Sequence, residues 1–159
     1  MIFNALEYLE KSARDFPERT AVIEEEIRCT YAELAAQARR VGSALAEMDV
    51  RGCPVGVYME KGVDALRAFM GALYAGGFYS MLNPELPAAR LQTIQGVLGA
   101  KVIVTRPELA EDAAALFPGA RIARIDELAA CDEDAAMLAD IRRRAIDAEI
   151  GRASCRERV

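Results

Sequence analysis

The chain has 159 residues, enough for one domain with a real core, and 53% of them are apolar although aromatics make up only 6%. Its formal net charge of −5 and pI of about 4.9 argue against nucleic acid or an anionic membrane as partner, since either needs a basic face. No apolar run reaches the roughly 20 residues of a bilayer span, and the acidic start lacks a signal peptide's basic region, so a cytoplasmic protein is expected.

Phe3, Leu6, Leu9, Ala13 and Phe16 recur at steps of three and four, one face of an opening helix. Asn4 with Glu7 suits its start, and Phe16-Pro17 its end, because a residue before proline disfavours the helical region. "TAVIEEEIRCTY" then holds two short β-prone runs around Glu24-Glu25-Glu26, a hairpin at a sheet edge with a solvated acidic tip. Thr30 and Glu33 have capping-box spacing. Behind them Leu34, Ala38, Val41, Leu45 and Met48 form the inner stripe of an amphipathic helix, closed by Gly52.

"PVGVYM" (54–59) suits a buried strand. "VDALRAFMGALYA" (63–75) carries only Asp64 and Arg67 as charges, so it reads as a helix buried between layers and stopped by Gly76-Gly77. "FYSML" is another strand and "NPELP" a turn. Pro87 stands at or near the first position of a helix whose stripe is Leu91, Ile94 and Leu98, with Gly99 as its stop. "KVIVT" (101–105) and "RIARI" (121–125) are further strands, separated by a helix from Pro107 to Phe117. Asp126 is placed to cap a short helix, and 134–148 make the last one. Strands alternating with helices predict an α/β fold: a layered sheet with largely parallel central strands flanked by helices, plus the N-terminal helix and edge hairpin.

Residues that carry chemistry are scarce. Histidine is absent, which removes the usual general base and metal ligand. Cys29, Cys53, Cys131 and Cys155 form no close pair and read as reduced thiols rather than disulfides or a zinc site. Neither G-x-G-x-x-G nor G-x-x-x-x-G-K-[ST] occurs. Gly96-x-x-Gly99 reads as a helix stop rather than an RNA clamp. Ser12, Ser43, Ser80 and Ser154 lie in no nucleophile elbow, and Lys11, Lys61 and Lys101 in no buried setting. Arg142-Arg143-Arg144, between Asp140 and Asp147, reads as the solvated face of an acidic helix. No catalytic, cofactor-binding or metal residue is therefore assigned.

Two ordered blocks nevertheless carry a likeness. "CTYAELAAQARRVGSAL" (29–45) resembles the T-Y-x-E-L block of the adenylate-forming ligases, the AMP-binding enzyme superfamily. "LYAGGFYSMLNPELPAARLQTIQGVLGAKVIVT" (73–105) is similar to its block L-K-A-G-G-A-Y-V-P-L-D-P-x-x-P-x-x-R. Pro87-x-x-Arg90 looks like the amino-acid-activating branch, which holds nonribosomal peptide synthetase adenylation domains and D-alanine–carrier protein ligases. Asn83 and Ser80-Met81 depart from its usual Asp and Val-Pro.

The resemblance implies ATP with Mg²⁺, a carboxylate activated as acyl-adenylate, and transfer to a thiol of carrier-protein phosphopantetheine or of CoA. It also implies a Gly/Ser/Thr-rich phosphate loop, an acidic residue for Mg²⁺ or ribose, and a late lysine, none of which this sequence contains. The expectation is an N-terminal portion, residues 1–150, of such a domain, inactive alone, with 151–159 ("GRASCRERV") a non-native tail. The alternatives are a non-catalytic binding or docking module on the same fold and, last, a nucleotide- or flavin-binding α/β domain, which would need a phosphate loop.

Overall fold

The computed structural model describes residues 5–144. Asn4, the far end of the predicted last helix and the 151–159 tail lie outside them.

Four parallel strands, β3 (Pro54–Tyr58), β4 (Phe78–Leu82), β5 (Val102–Thr105) and β6 (Arg121–Arg124), form a sheet in the order β4-β3-β5-β6. An antiparallel hairpin, β1 (Thr20–Glu24) with β2 (Ile27–Thr30), stands apart from it. The predicted α/β class and parallel sheet are what is found, but the hairpin expected at a sheet edge forms a two-stranded sheet of its own.

Period-two alternation assigns the faces. Val55, Val57, Val102 and Val104 pack with α2 (Tyr31–Ala46), α3 (Val63–Tyr74) and α6 (Ile125–Ala130). Tyr58, Leu82 and Ile103 face the other way, onto Leu91 of α4 (Ala88–Leu98) and Ala113 of α5 (Ala110–Leu116). Tyr58 also meets Phe117 edge-on, with ring centroids 5.5 Å apart.

The first face is the tighter. Gly42 on α2 and Gly71 on α3 let the two helices meet closely: a Cβ at Gly42 would lie 2.5 Å from Tyr74 Cβ, and one at Gly71 would collide with Val41. Ala65, Ala68 and Ala72 on α3 continue this small-residue seam against fully buried Val41 and Leu45. Leu66, Phe69 and Met70 on α3 are, however, only half-buried, so α3 is less enclosed than its sequence predicted.

The end signals are local, and most act as read. Thr30 and Glu33 close a capping box: Glu33 N–H donates to Thr30 Oγ1 (3.2 Å) and Thr30 N–H to the Glu33 carboxylate (2.8 Å). Gly76 (φ 76°) follows α3, and Gly99 (φ 64°) stops α4 in the left-handed conformation that glycine adopts cheaply. α1 (Ala5–Asp15) ends before Phe16-Pro17.

Three readings need correction. α2 ends at Ala46, so Met48 lies beyond it. Asp126 does not cap α6: Arg124 holds the N-cap position, while Asp126 sits in the first turn and pairs with the Arg124 guanidinium at 2.6 Å. Arg142 is not on a solvated face, because α7 (Ala135–Arg143) turns it toward α1, where it pairs with Glu10 at 3.2 Å.

Candidate functional site

In an open parallel sheet the natural ligand crevice lies beyond the strands' carboxyl ends, where the order reverses. Here that point falls between β3 and β5: the chain leaves β3 for β4 on one side, then crosses back to β5 on the other. Thr105 Oγ1 donates to the Tyr58 carbonyl (2.7 Å, buried) and ties the two strand ends together. Immediately beyond, Arg106 leaves β5, and Gly62 precedes the first turn of α3.

The crevice is filled by this chain's own charges. Glu24, from the end of β1, reaches across so that its Oε2 accepts the Val63 N–H at 2.7 Å, occupying the positive N-terminus of α3. Its other oxygen meets Arg106 Nη2 at 2.9 Å. Arg106 Nε donates to Asp64 (3.1 Å), whose second oxygen takes Arg67 (2.7 Å). A Cβ at Gly62 would collide with the Glu24 carboxylate, so glycine leaves the room this approach needs.

The Arg106 hydrogen bond, seconded by the Val63 amide, holds the Glu24 carboxyl below its ordinary range. The same bond holds Arg106 above its own. Glu24, read as a solvated tip, is thus a half-buried latch; the tip consists of Glu25 and Glu26.

Such a crevice does not fit a triphosphate. An anion cradle needs free amides at a helix N-terminus. Here the terminal amide is taken by a carboxylate, and Arg106 beside it already pairs with two acids. Among the described residues no group of three or more His, Cys, Asp or Glu is arranged to hold a metal ion.

Other concavities lie outside this crevice. An open cleft of about 580 Å³ lies between the hairpin, α3 and β4, lined by Ile23, Phe69, Tyr79 and Met81 with Lys61 at its rim. A smaller cavity of about 220 Å³ sits among α1, α2, α3 and α7. There the Tyr74 hydroxyl donates to Glu10 (3.2 Å), and burial, with Glu10 beside it, pushes Tyr74 up to about 12.

Cys29 is buried, and burial pushes its thiol up, away from a reactive thiolate. Lys11, Lys61 and Lys101 are exposed. Ser43, which is buried, holds α7 in place: it donates to the Arg39 carbonyl and accepts the Asp134 N–H, both at 2.9 Å. Among the described residues no helix is long and apolar enough to cross a membrane.

The sequence profile of the AMP-binding enzyme family matches residues 9–149, most of the chain. The chain belongs to the AMP-binding enzyme family.

Among curated AMP-binding relatives, bacitracin synthase 1 of Bacillus licheniformis is 36% identical over 104 residues. That stretch is 65% of this chain but 2% of the synthase. Tyrocidine synthase 1 of Brevibacillus parabrevis is 34% identical over 103 residues, 64% of this chain and 10% of that protein.

Among solved structures, the nonribosomal peptide synthetase FmoA3, in a form bound to α-methyl-L-serine-AMP, superposes with a TM-score of 0.71 at 34% identity. The match covers 78% of this chain and 14% of FmoA3. MatB from Rhodopseudomonas palustris, in its apo form, gives 0.72 at 26% identity, over 85% of this chain and 29% of its own. The chain therefore spans a small part of the AMP-binding proteins it matches.

Proposed function

We propose that this chain is the N-terminal portion of an ATP-dependent adenylate-forming ligase of the amino-acid-activating type, akin to peptide synthetase adenylation domains and D-alanine–carrier protein ligases. Within such an enzyme a carboxylate attacks the α-phosphate of ATP, pyrophosphate leaves, and the acyl-adenylate passes to a thiol of carrier-protein phosphopantetheine or of CoA. The portion described here supplies the sheet and its crossover rather than the reacting groups. ATP and Mg²⁺ belong to the larger enzyme and are not bound by these residues.

The observation that carries this reading is the family match over residues 9–149 joined to peptide synthetases among the relatives. The crevice filled by Glu24, Arg106 and Asp64 supports inactivity of the portion alone, because it leaves no cradle for a nucleotide.

The test is to express the gene's complete reading frame and measure ATP–pyrophosphate exchange with a panel of amino acids and a panel of fatty acids. Exchange driven by one or a few amino acids supports the proposal. Exchange driven only by fatty acids moves the enzyme to the acyl-CoA branch. A reading frame that ends at Val159 with no exchange overturns it in favour of a non-catalytic module.

A further inference from the structure

The β1–β2 hairpin is attached to the rest of the molecule unevenly. At its foot, where β2 runs into α2, the Tyr31 N–H donates to the Arg19 carbonyl (3.0 Å) and the Ala32 N–H to the Pro17 carbonyl (3.1 Å). The capping box at Thr30 fixes the same junction. Along its length the hairpin is a sheet of its own, and of the residues in β1 and β2 only Cys29 is buried. Val22 and Cys29 join the apolar cluster that holds Leu34 and Val63, while Ile23 and Ile27 stay in solvent. With so little apolar area removed from water, packing alone holds the ribbon weakly.

Near the tip the attachment is polar. Glu24 accepts the Val63 N–H at 2.7 Å and meets Arg106 at 2.9 Å, both with one side chain. Gly62 keeps the space into which that carboxylate fits. The pairing of β1 with β2 slips between Thr20 and Val22, and such an irregularity bends a strand, here close to the foot. The ribbon thus has a fixed end, a place to bend and a clasp carried by one carboxylate.

We propose that the hairpin is a strap over the first turn of α3, latched by the Glu24 carboxylate, and that it opens as a unit about its foot while the four-stranded sheet stays folded. Opening turns the Val63 N–H and the Arg106 guanidinium out to water at the switch point and uncovers the Cys29 thiol. Exposure of that crevice is then governed by one carboxylate rather than by the body of the fold. A region with few buried apolar contacts opens at lower free energy than the whole molecule, which is what such a device requires. The strap stands independently of the ligase reading.

Cys29, 2% exposed, is a native reporter of the closed strap, and exposed Cys131 is the open standard in the same chain. The test follows maleimide labelling of both by peptide mass spectrometry in the 159-residue chain, its Glu24→Ala variant and its Leu45→Ala variant. Leu45 lies in a different apolar cluster, so its truncation weakens the whole fold without touching the latch. Cys29 should label about tenfold faster or more in Glu24→Ala and less than about threefold faster in Leu45→Ala, with Cys131 constant. In the unaltered chain the urea dependence of Cys29 labelling should have less than about half the slope of global unfolding, because opening exposes little surface. Equal acceleration in the two variants, or a slope equal to that of global unfolding, overturns the strap, since the hairpin then opens only with the whole fold. If Leu45→Ala fails to fold, the slope in the unaltered chain decides the matter. An unchanged Cys29 rate in Glu24→Ala, or Cys29 as reactive as Cys131 in the unaltered chain, overturns the latch and the proposal with it.

Discussion

The α2–α3 face and the β4 flank belong to one layer of the molecule but are finished to different degrees. Under α2 and α3, glycine and alanine bring two helices into close contact, and Val41, Leu45, Val55 and Val57 are fully buried. On the other side of α3, Phe69 and Tyr79 stack against each other with Tyr79 still partly in solvent. The closed face satisfies its apolar surface from within this chain. The open flank leaves apolar area of Ile23 and Tyr79 in solvent.

That contrast orders the expected effects of substitution. Leu45→Ala, deep in the closed face, should cost about 2–5 kcal/mol through lost burial and a residual cavity, seen as a lower urea midpoint. Glu24→Ala should cost about 1–3 kcal/mol, because it strips the Val63 amide and one partner of Arg106 at once. Thr30→Ala should cost about 1 kcal/mol by opening the capping box of α2. On the open flank, Tyr79→Ser should cost only about 0.5–1.5 kcal/mol, the loss of its stack on Phe69, since 41% of the residue is already in solvent. A large loss at Tyr79 would erase the distinction between the two regions.

Acid sharpens the same comparison. The Glu24 carboxyl is held below its ordinary value of 4.5 in the folded chain, so the unfolded chain binds the proton more readily. Stability from this group is present above about pH 4.5 and is lost as pH falls through the lower folded value. Urea midpoints measured from about pH 6 to about pH 3 should therefore fall less for Glu24→Gln than for the unaltered chain. Parallel curves would remove the latch from the account.

What could be read in the sequence follows the range of each interaction. Thr30 and Glu33 are three residues apart, and glycine after a helical stripe acts on its own backbone, so these were legible. The alternation of apolar runs with helical stripes also pointed to the α/β class, because parallel strands buried on both faces leave continuous apolar stretches. Glu24 meets Arg106 across 82 positions and Glu10 meets Arg142 across 132, and no local pattern announces either pair. The acidic run at 24–26 looked uniformly solvated because only register decides which of three glutamates turns inward. The packing of the hairpin against the start of α3 and the end of β5, which brings Glu24 to Arg106, was the missing information. The family likeness was legible for another reason: its blocks at 29–45 and 73–105 encode helix stops and turns that the fold requires.

The most direct test of the central claim, that this chain carries the family's architecture without its reaction centre, is ATP–pyrophosphate exchange by the 159-residue chain itself, with Mg²⁺ and a broad panel of carboxylates. The account predicts exchange no greater than a protein-free control with every substrate. Substrate-dependent exchange above that control would contradict it, and would mean that the crevice at Glu24 and Arg106 opens to admit a nucleotide.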